Sequence, residues 1–293
     1  MAGDASTRCY ARVWDEAART AILVRYPEAI RAQLQRDVAV WSWCGAQGLR
    51  VPAVIDCDQD RGWAVLEDLG EADAEATLRQ TAVAARVDVG ALLLKPLTTL
   101  AGIEPRRLPS WNPPLDGERL RWELAGFELW YVRHRCNRRP GPSLGRWLDE
   151  LALEIAGHPQ RVCHRDYHLN NLFLLADGEV GLIDTQDVLR GPDTYDISSL
   201  LNERAMPELL GSSARSELEL IWAEQTGADA GWKERRLQVR LQRALKVLGT
   251  FARLEASGRR VYSTWLRNLA GQLAGEPGSG ALPDELRGLL LDC

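Results

Sequence analysis

The chain has 293 residues, 45% of them hydrophobic, and a formal net charge of -5. It is long enough for two separate cores and too acidic for nucleic acid as a bulk partner. No apolar run reaches the roughly 18 residues of a membrane span, because Lys95 and Pro96 interrupt the best stretch after Leu94. Met1 to Arg8 lacks the apolar core of an export signal. The six cysteines contain no CxxC pair, and the four histidines stand at no metal-ligand spacing from them. Free thiols, a cytoplasmic setting and no zinc site are therefore expected.

In chain order, Gly3-Asp4-Ala5-Ser6-Thr7-Arg8 is a turn of small residues. Cys9 to Trp14, a second turn and Thr20 to Tyr26 then read as a hairpin. Backbone amides around Gly3, Ser6 and Thr7 can approach phosphate oxygens; the strand that should precede them is almost absent. Glu28 to Ala46 carries Ile30, Leu34, Val38, Trp41 and Cys44 at helical spacing, bounded by Pro27 and by Gly45 and Gly48. Val51 to Ile55 and Trp63 to Leu66 are two further strands around Asp58-Gln-Asp-Arg-Gly62.

Beyond Gly70 the pattern is helical. Glu71 to Gly102 reads as helix, Pro105 to Pro114 as a proline-rich surface loop, and Leu115 to Cys136 and Ser143 to Ala156 as helices. Leu120, Leu124, Phe127, Trp130 and Tyr131 share one face, as core packing requires, and Arg133 to Arg139 is a solvated basic helix end. After the segment from Val162 to Asp187, Gly191-Pro-Asp-Thr-Tyr-Asp196 opens a helix with Asp193 or Thr194 as a possible cap. Helices follow over Arg215 to Gln225, Trp232 to Glu255, Val261 to Ala274 and Pro283 to Leu291.

The segment from Val162 to Asp187 carries the chemistry. His164-Arg165-Asp166 ends an apolar stub, a polar turn reaches Asn171, Leu172 to Leu175 and Val180 to Ile183 form a hairpin through Ala176-Asp177-Gly178, and Asp184 closes it. His-Arg-Asp, four residues, Asn, a hairpin and Asp is the catalytic-loop pattern of the protein-kinase-like fold. Phosphoryl transfer needs a carboxylate to take the acceptor's proton and hard oxygen ligands for magnesium. Asp166 is the expected base, and Asn171 and Asp184 are the expected metal ligands. The expected architecture is α+β: a two-lobed kinase-like fold with a small antiparallel-sheet lobe and one helix over 1–69, and a mainly helical catalytic and substrate lobe over 70–293. Glu67 and Leu69 then fall at the hinge that holds adenine.

The fold's usual strand lysine has no counterpart, because Lys95, Lys233 and Lys246 all lie beyond the small lobe. Arg25 is the expected substitute for binding phosphate, with Asp37 or Glu28 as its partner. Tyr167, His168, Gln186 and Asp187 flank the carboxylates and are candidate substrate contacts. The arginines from Arg235 to Arg260 lean toward a neutral or anionic acceptor.

His164-Arg-Asp-Tyr-His-Leu-Asn-Asn171, Ile183-Asp-Thr-Gln-Asp187 and Gly191-Pro-Asp-Thr-Tyr-Asp196 resemble the aminoglycoside phosphotransferase superfamily. Gly3-Asp-Ala-Ser-Thr-Arg8, Leu66-Glu-Asp-Leu-Gly70 and Leu241 to Leu254 are similar to the bacterial anomeric kinases for N-acetylmuramate and N-acetylglucosamine. The resemblance implies ATP and Mg2+ as co-reactants, a small sugar as acceptor, phosphorylation of its anomeric hydroxyl and a place in cell-wall recycling, with neither nucleic acid nor membrane as partner. It also makes the missing lysine a family trait. Thr185 departs from it, since an aromatic usually follows the metal-binding Asp. The alternatives are a kinase for an aminoglycoside, choline or an amino acid, or a nucleotide-binding pseudokinase with an interaction role.

Overall fold

Alternating aliphatic and polar residues near the N-terminus form a four-stranded antiparallel sheet in a computed structural model that describes residues 8–275 and 282–292. The strands are β1 (Cys9–Trp14), β2 (Thr20–Arg25), β3 (Val54–Asp58) and β4 (Trp63–Glu67), in the order β1-β2-β4-β3. Asp15 fixes the β1–β2 turn by accepting the amides of Ala17 and Arg19, both at 2.9 Å, which lets Ala18 hold φ 58. Helix α1 (Gln33–Ala46) lays Leu34 and Trp41 on Val24, Tyr26, Ala64 and Leu66. The expected single helix from Glu28 begins instead as a 3-10 turn over Glu28–Ile30.

The stretch expected as one helix from Glu71 divides into α2 (Ala74–Gln80), α3 (Arg86–Leu92) and α4 (Lys95–Gly102). Pro96 sits in the first turn of α4, where the missing N–H leaves no bond unmade. Helix α5 (Gly117–Gly126) runs on as a π-helical segment over Phe127–Arg135, visible in the Cys136 amide donating to the Tyr131 carbonyl at 2.9 Å. Then come α6 (Pro142–Ala156), β5 (Gln160–Cys163), the antiparallel pair β6 (Leu172–Leu174) and β7 (Val180–Leu182), and β8 (Leu189–Pro192). The chain ends in α7 (Tyr195–Leu201), α8 (Met206–Thr226, broken at Gly211), α9 (Trp232–Ala256), α10 (Val261–Gly275) and α11 (Asp284–Asp292). No helix among the described residues is long and apolar enough to cross a membrane.

The chain divides into two compact units. One comprises residues up to Pro113 with Arg161–Leu189 and Ala205–Ala228; the other comprises Pro114–Gln160, Arg190–Arg204 and the chain from Asp229. The first holds the sheet, α1 to α4, the β6–β7 hairpin and α8. The second is helical, with α9 packed against α5, the π-helical segment, α6, α7 and α10. The boundary expected after residue 69 falls inside the first unit, between β4 and α2.

Two expectations are corrected here. Asp193 does not cap α7: its carboxylate is held by Arg235 at 2.6 and 3.2 Å, and Thr194 at the cap position makes no side-chain capping bond. Cys9, Cys44, Cys57 and Cys163 are free thiols, whereas Cys136 is disulfide-bonded, a pairing that sequence spacing could not reveal.

Candidate active site

The first unit contains the whole segment from Arg161 to Leu189. Where β5 gives way to His164-Arg165-Asp166, Arg165 adopts φ 78, and Asp184 after β7 adopts φ 62. Left-handed backbone is uncommon for residues other than glycine and concentrates at functional sites. Both turns are fixed by hydrogen bonds that cross the hairpin. Buried His164 brings Nε2 to 2.9 Å from the Ile183 carbonyl oxygen. Asn171 Nδ2 donates to the Asp166 carbonyl at 2.8 Å, and the Asn171 carbonyl accepts the Ile183 amide at 3.0 Å. Asp166, Asn171 and the residue preceding Asp184 are thus joined in one short network.

The Asn171 side chain is 7% exposed overall and its nitrogen is already engaged, so Oδ1 is the atom it can offer a cation. The Asp184 carboxylate is 41% exposed and accepts a bond from Gln186 Nε2 at 2.5 Å. One amide oxygen and one carboxylate are hard donors of the kind magnesium takes, since that ion completes its shell with water and substrate phosphates. The residues present therefore fit the metal that the motif implies.

The neighbouring turn, Thr185–Asp187, is packed from beneath and tied from the side. Thr185 is 2% exposed and hydrogen-bonds Cys44 of α1, whose thiol burial pushes up to about 12. A small residue suits this position because α1 already fills the space. Asn112 Nδ2 donates to the carbonyls of both Gln186 and Val188 at 2.9 Å, and Trp111 meets Trp43 of α1 edge-on at 5.9 Å. The proline-rich connector is accordingly a brace on the loop that carries Asp184. Sequence reading missed Asn112, since nothing local links it to a partner more than seventy residues away.

The four candidate substrate contacts separate in the structure. Tyr167 is fully buried and donates its hydroxyl to the Leu93 carbonyl at 2.6 Å, which makes it a packing anchor and corrects its reading as a substrate contact. Gln186 is 4% exposed and holds Asp184. His168 Nε2 lies 3.3 Å from Asn171 Nδ2, and Asp187 lies 3.7 Å from Arg165, so these two stay at the site with partial exposure. In the basic helix α9, Arg235 is committed to Asp193 and Asp229, and Arg243 lies over the Tyr195 ring at 4.4 Å.

At the expected hinge, Glu67 pairs with Arg50 and accepts the Ala53 amide at 3.2 Å. The Arg50 hydrogen bonds hold its carboxyl below the usual range. Asp68 receives a two-pronged bond from Arg12 of β1 at 2.6 and 3.0 Å, and the same guanidinium donates to the Gly70 carbonyl at 2.7 Å. Leu69 presses on Gly181 of β7, where an added Cβ would stand 2.7 Å from Leu69 Cδ1. The segment Glu67 to Gly70 is thereby fixed both to β1 and to the β6–β7 hairpin.

Gly3, Ser6 and Thr7 lie outside the described residues. Arg25 is exposed, at the end of β2 in register with Cys9 and Trp63. The expected Arg25–Asp37 pair is not formed, because Val24 and Tyr26 point to the α1 face and strand alternation turns Arg25 away from it. Asp37, 0% exposed, is paired with Arg8 at 3.1 Å and Arg36 at 3.1 Å, and accepts the Tyr26 hydroxyl at 2.7 Å. Arg8 also stands 3.8 Å from Asp184.

The model of the Phosphotransferase enzyme family matches residues 1–238. A Pseudomonas aeruginosa protein named N-acetylmuramate/N-acetylglucosamine kinase is 29% identical over 264 residues, covering 86% of this chain and 75% of that one. A Neisseria meningitidis protein of the same name is 29% identical over 224 residues, 70% of this chain and 64% of that one. The crystal structure of an aminoglycoside-3'-phosphotransferase of type VIII superimposes with a TM-score of 0.61 at 21% identity, over 84% of this chain and 92% of that chain. With its α+β protein-kinase-like fold and a family match over most of its length, the chain belongs to the Phosphotransferase enzyme family.

Proposed function

We propose that the chain transfers the γ-phosphoryl group of ATP to the anomeric hydroxyl of an N-acetylated amino sugar, N-acetylmuramate or N-acetylglucosamine, in cytoplasmic cell-wall recycling. The observation that carries the reaction type is the hydrogen-bonded network joining Asp166, Asn171 and the Asp184 turn. The acceptor class rests on relatives at 29% identity that bear that name. Residues 1–69 serve as the nucleotide-binding lobe, with Gly3, Ser6 and Thr7 over the phosphates and the backbone of Glu67 and Leu69 at adenine. Residues 70–293 supply catalysis and the sugar site.

Asp166 orients the sugar hydroxyl and accepts its proton as the new O–P bond forms and the bond to ADP breaks. Asn171 Oδ1 and the Asp184 carboxylate hold magnesium, which neutralises phosphate charge when bound. Gln186 keeps Asp184 oriented, and His168 and Asp187 remain as sugar contacts.

Phosphorus NMR with ATP, magnesium and each candidate sugar tests this. An acid-labile anomeric phosphate signal is the expected result. Phosphorylation of an aminoglycoside or choline alone would move the acceptor class, and ATP binding without transfer to any acceptor would overturn the enzyme assignment.

A further inference from the structure

The small lobe contains no lysine, so the question is which cation meets the nucleotide's phosphates. The geometry points to Arg8 as the phosphate-binding residue, with Asp37 and Tyr26 as the residues that position it. This rests on the nucleotide-binding reading above and names a residue different from the one that strand position favoured.

Three observations carry it. First, Arg8 is fixed: its side chain is 12% exposed, Nη1 donates to Asp37 at 3.1 Å, and its guanidinium lies 5.8 Å from the Tyr26 ring centroid. Second, the anchor is itself built for the purpose. Asp37 is fully buried on α1, and the Tyr26 hydroxyl locks the carboxylate oxygen that Arg8 uses, at 2.7 Å. A buried carboxylate is costly unless paired and hydrogen-bonded, and this one satisfies both conditions. Arg36 binds the other oxygen at 3.1 Å, so two guanidinium groups converge on one buried carboxylate.

Third, the anchored Arg8 reaches the turn that carries Asp184. Arg8 Nη2 stands 3.8 Å from Asp184 Oδ1, a separation that holds an ion pair without a direct hydrogen bond. A planar fork anchored through one nitrogen and directed by the other at the metal-binding carboxylate suits bridging phosphate oxygens. Arg25, turned to the opposite face of β2, has no comparable anchor among the described residues.

The test is calorimetric titration of the full chain, in magnesium, with AMP-PNP, ADP and adenosine. Arg8→Gln is expected to weaken AMP-PNP and ADP about 10- to 100-fold, the size of a lost charge-assisted bond, and to leave adenosine unchanged. Arg8→Lys should recover part of the loss. Tyr26→Phe, milder than any change at buried Asp37, should weaken AMP-PNP several-fold with adenosine unaffected. Unchanged AMP-PNP affinity in Arg8→Gln, an equal loss for adenosine, or a phosphate-selective loss in Arg25→Gln with none in Arg8→Gln would each overturn the assignment. These titrations contain no sugar, so a chain that transfers phosphate to no amino sugar yet shows the Arg8-dependent loss refutes the acceptor alone. A wild-type chain that binds no AMP-PNP refutes both.

Discussion

The two candidate carboxylates sit in different surroundings. Asp166 shares its turn with strained Arg165 and the Asn171 amide, whereas Asp184 is 41% exposed and steadied by Gln186. Asp166→Asn keeps the shape and removes the proton acceptor, so turnover is expected to fall roughly 100- to 10,000-fold with little change in melting temperature. Steady-state kinetics checks this, and near-normal turnover would remove Asp166 as the base. Asp184→Ala should abolish the thermal stabilisation given by magnesium AMP-PNP, a shift set by ligand concentration over Kd. At the hinge, burial alone would raise the Asp68 carboxyl, but hydrogen bonds from Arg12 and the Gly70 amide hold it below the usual range. The folded pKa is thus below the unfolded value of about 3.9, so the Arg12–Asp68 pair stabilises fully above that pH and is lost as pH falls through the folded pKa. The melting-temperature gap between wild type and Asp68→Asn should be widest near neutrality and close as pH falls through the lowered folded pKa. A gap independent of pH would remove the ion pair from the stability of the hinge.

At the scale of elements, a glycine decides one close approach. Gly249 of α9 faces the backbone where α5 turns into the π-helical segment: a Cβ there would stand 2.6 Å from the Phe127 nitrogen and 2.8 Å from the Gly126 oxygen. Backbone cannot swing aside as a side chain can, so Gly249→Ala is expected to destabilise by about 1–3 kcal/mol or more, read as a lower urea midpoint. An unchanged midpoint would mean that the crossing has slack. The β6–β7 hairpin was legible from sequence because its two apolar strands and its Asp-Gly turn lie within a dozen residues. The π-helical segment was not, since apolar residues from Leu120 to Tyr131 satisfy either helical period. The Arg8–Asp37 pair was hidden for a different reason. The two residues lie 29 apart, and only the placement of α1 on the inward face of β2 decides that Arg8 and not Arg25 meets Asp37. Arg12, 56 residues from Asp68, was hidden in the same way.

For the whole molecule, the decisive feature is that neither compact unit is a contiguous stretch. The first is assembled from three segments, ending at Pro113 and resuming at Arg161–Leu189 and Ala205–Ala228. Its N-terminal part cannot bury its own apolar faces. Tyr167 closes over the α3–α4 junction through the Leu93 carbonyl, the Leu182 amide donates to the Arg50 carbonyl at 2.7 Å, and Leu218 of α8 packs on Gly90 of α3. Arg86 Nη1 meanwhile holds the Leu209 carbonyl at 3.0 Å. A fragment of residues 1–113 loses all of these and exposes apolar surface at Leu93, Leu94, Leu97 and Leu100, none more than 4% exposed in the full chain. At roughly 25 cal/mol per Å² of apolar area left in water, such surface outweighs the few kcal/mol by which a domain is stable. The fragment is therefore expected to show no cooperative thermal transition and poor amide dispersion by NMR, while the full chain melts sharply. A fragment 1–113 with a dispersed spectrum and a sharp melt would show that the sheet and its helices fold without the catalytic segment, and that this segment docks on a finished scaffold.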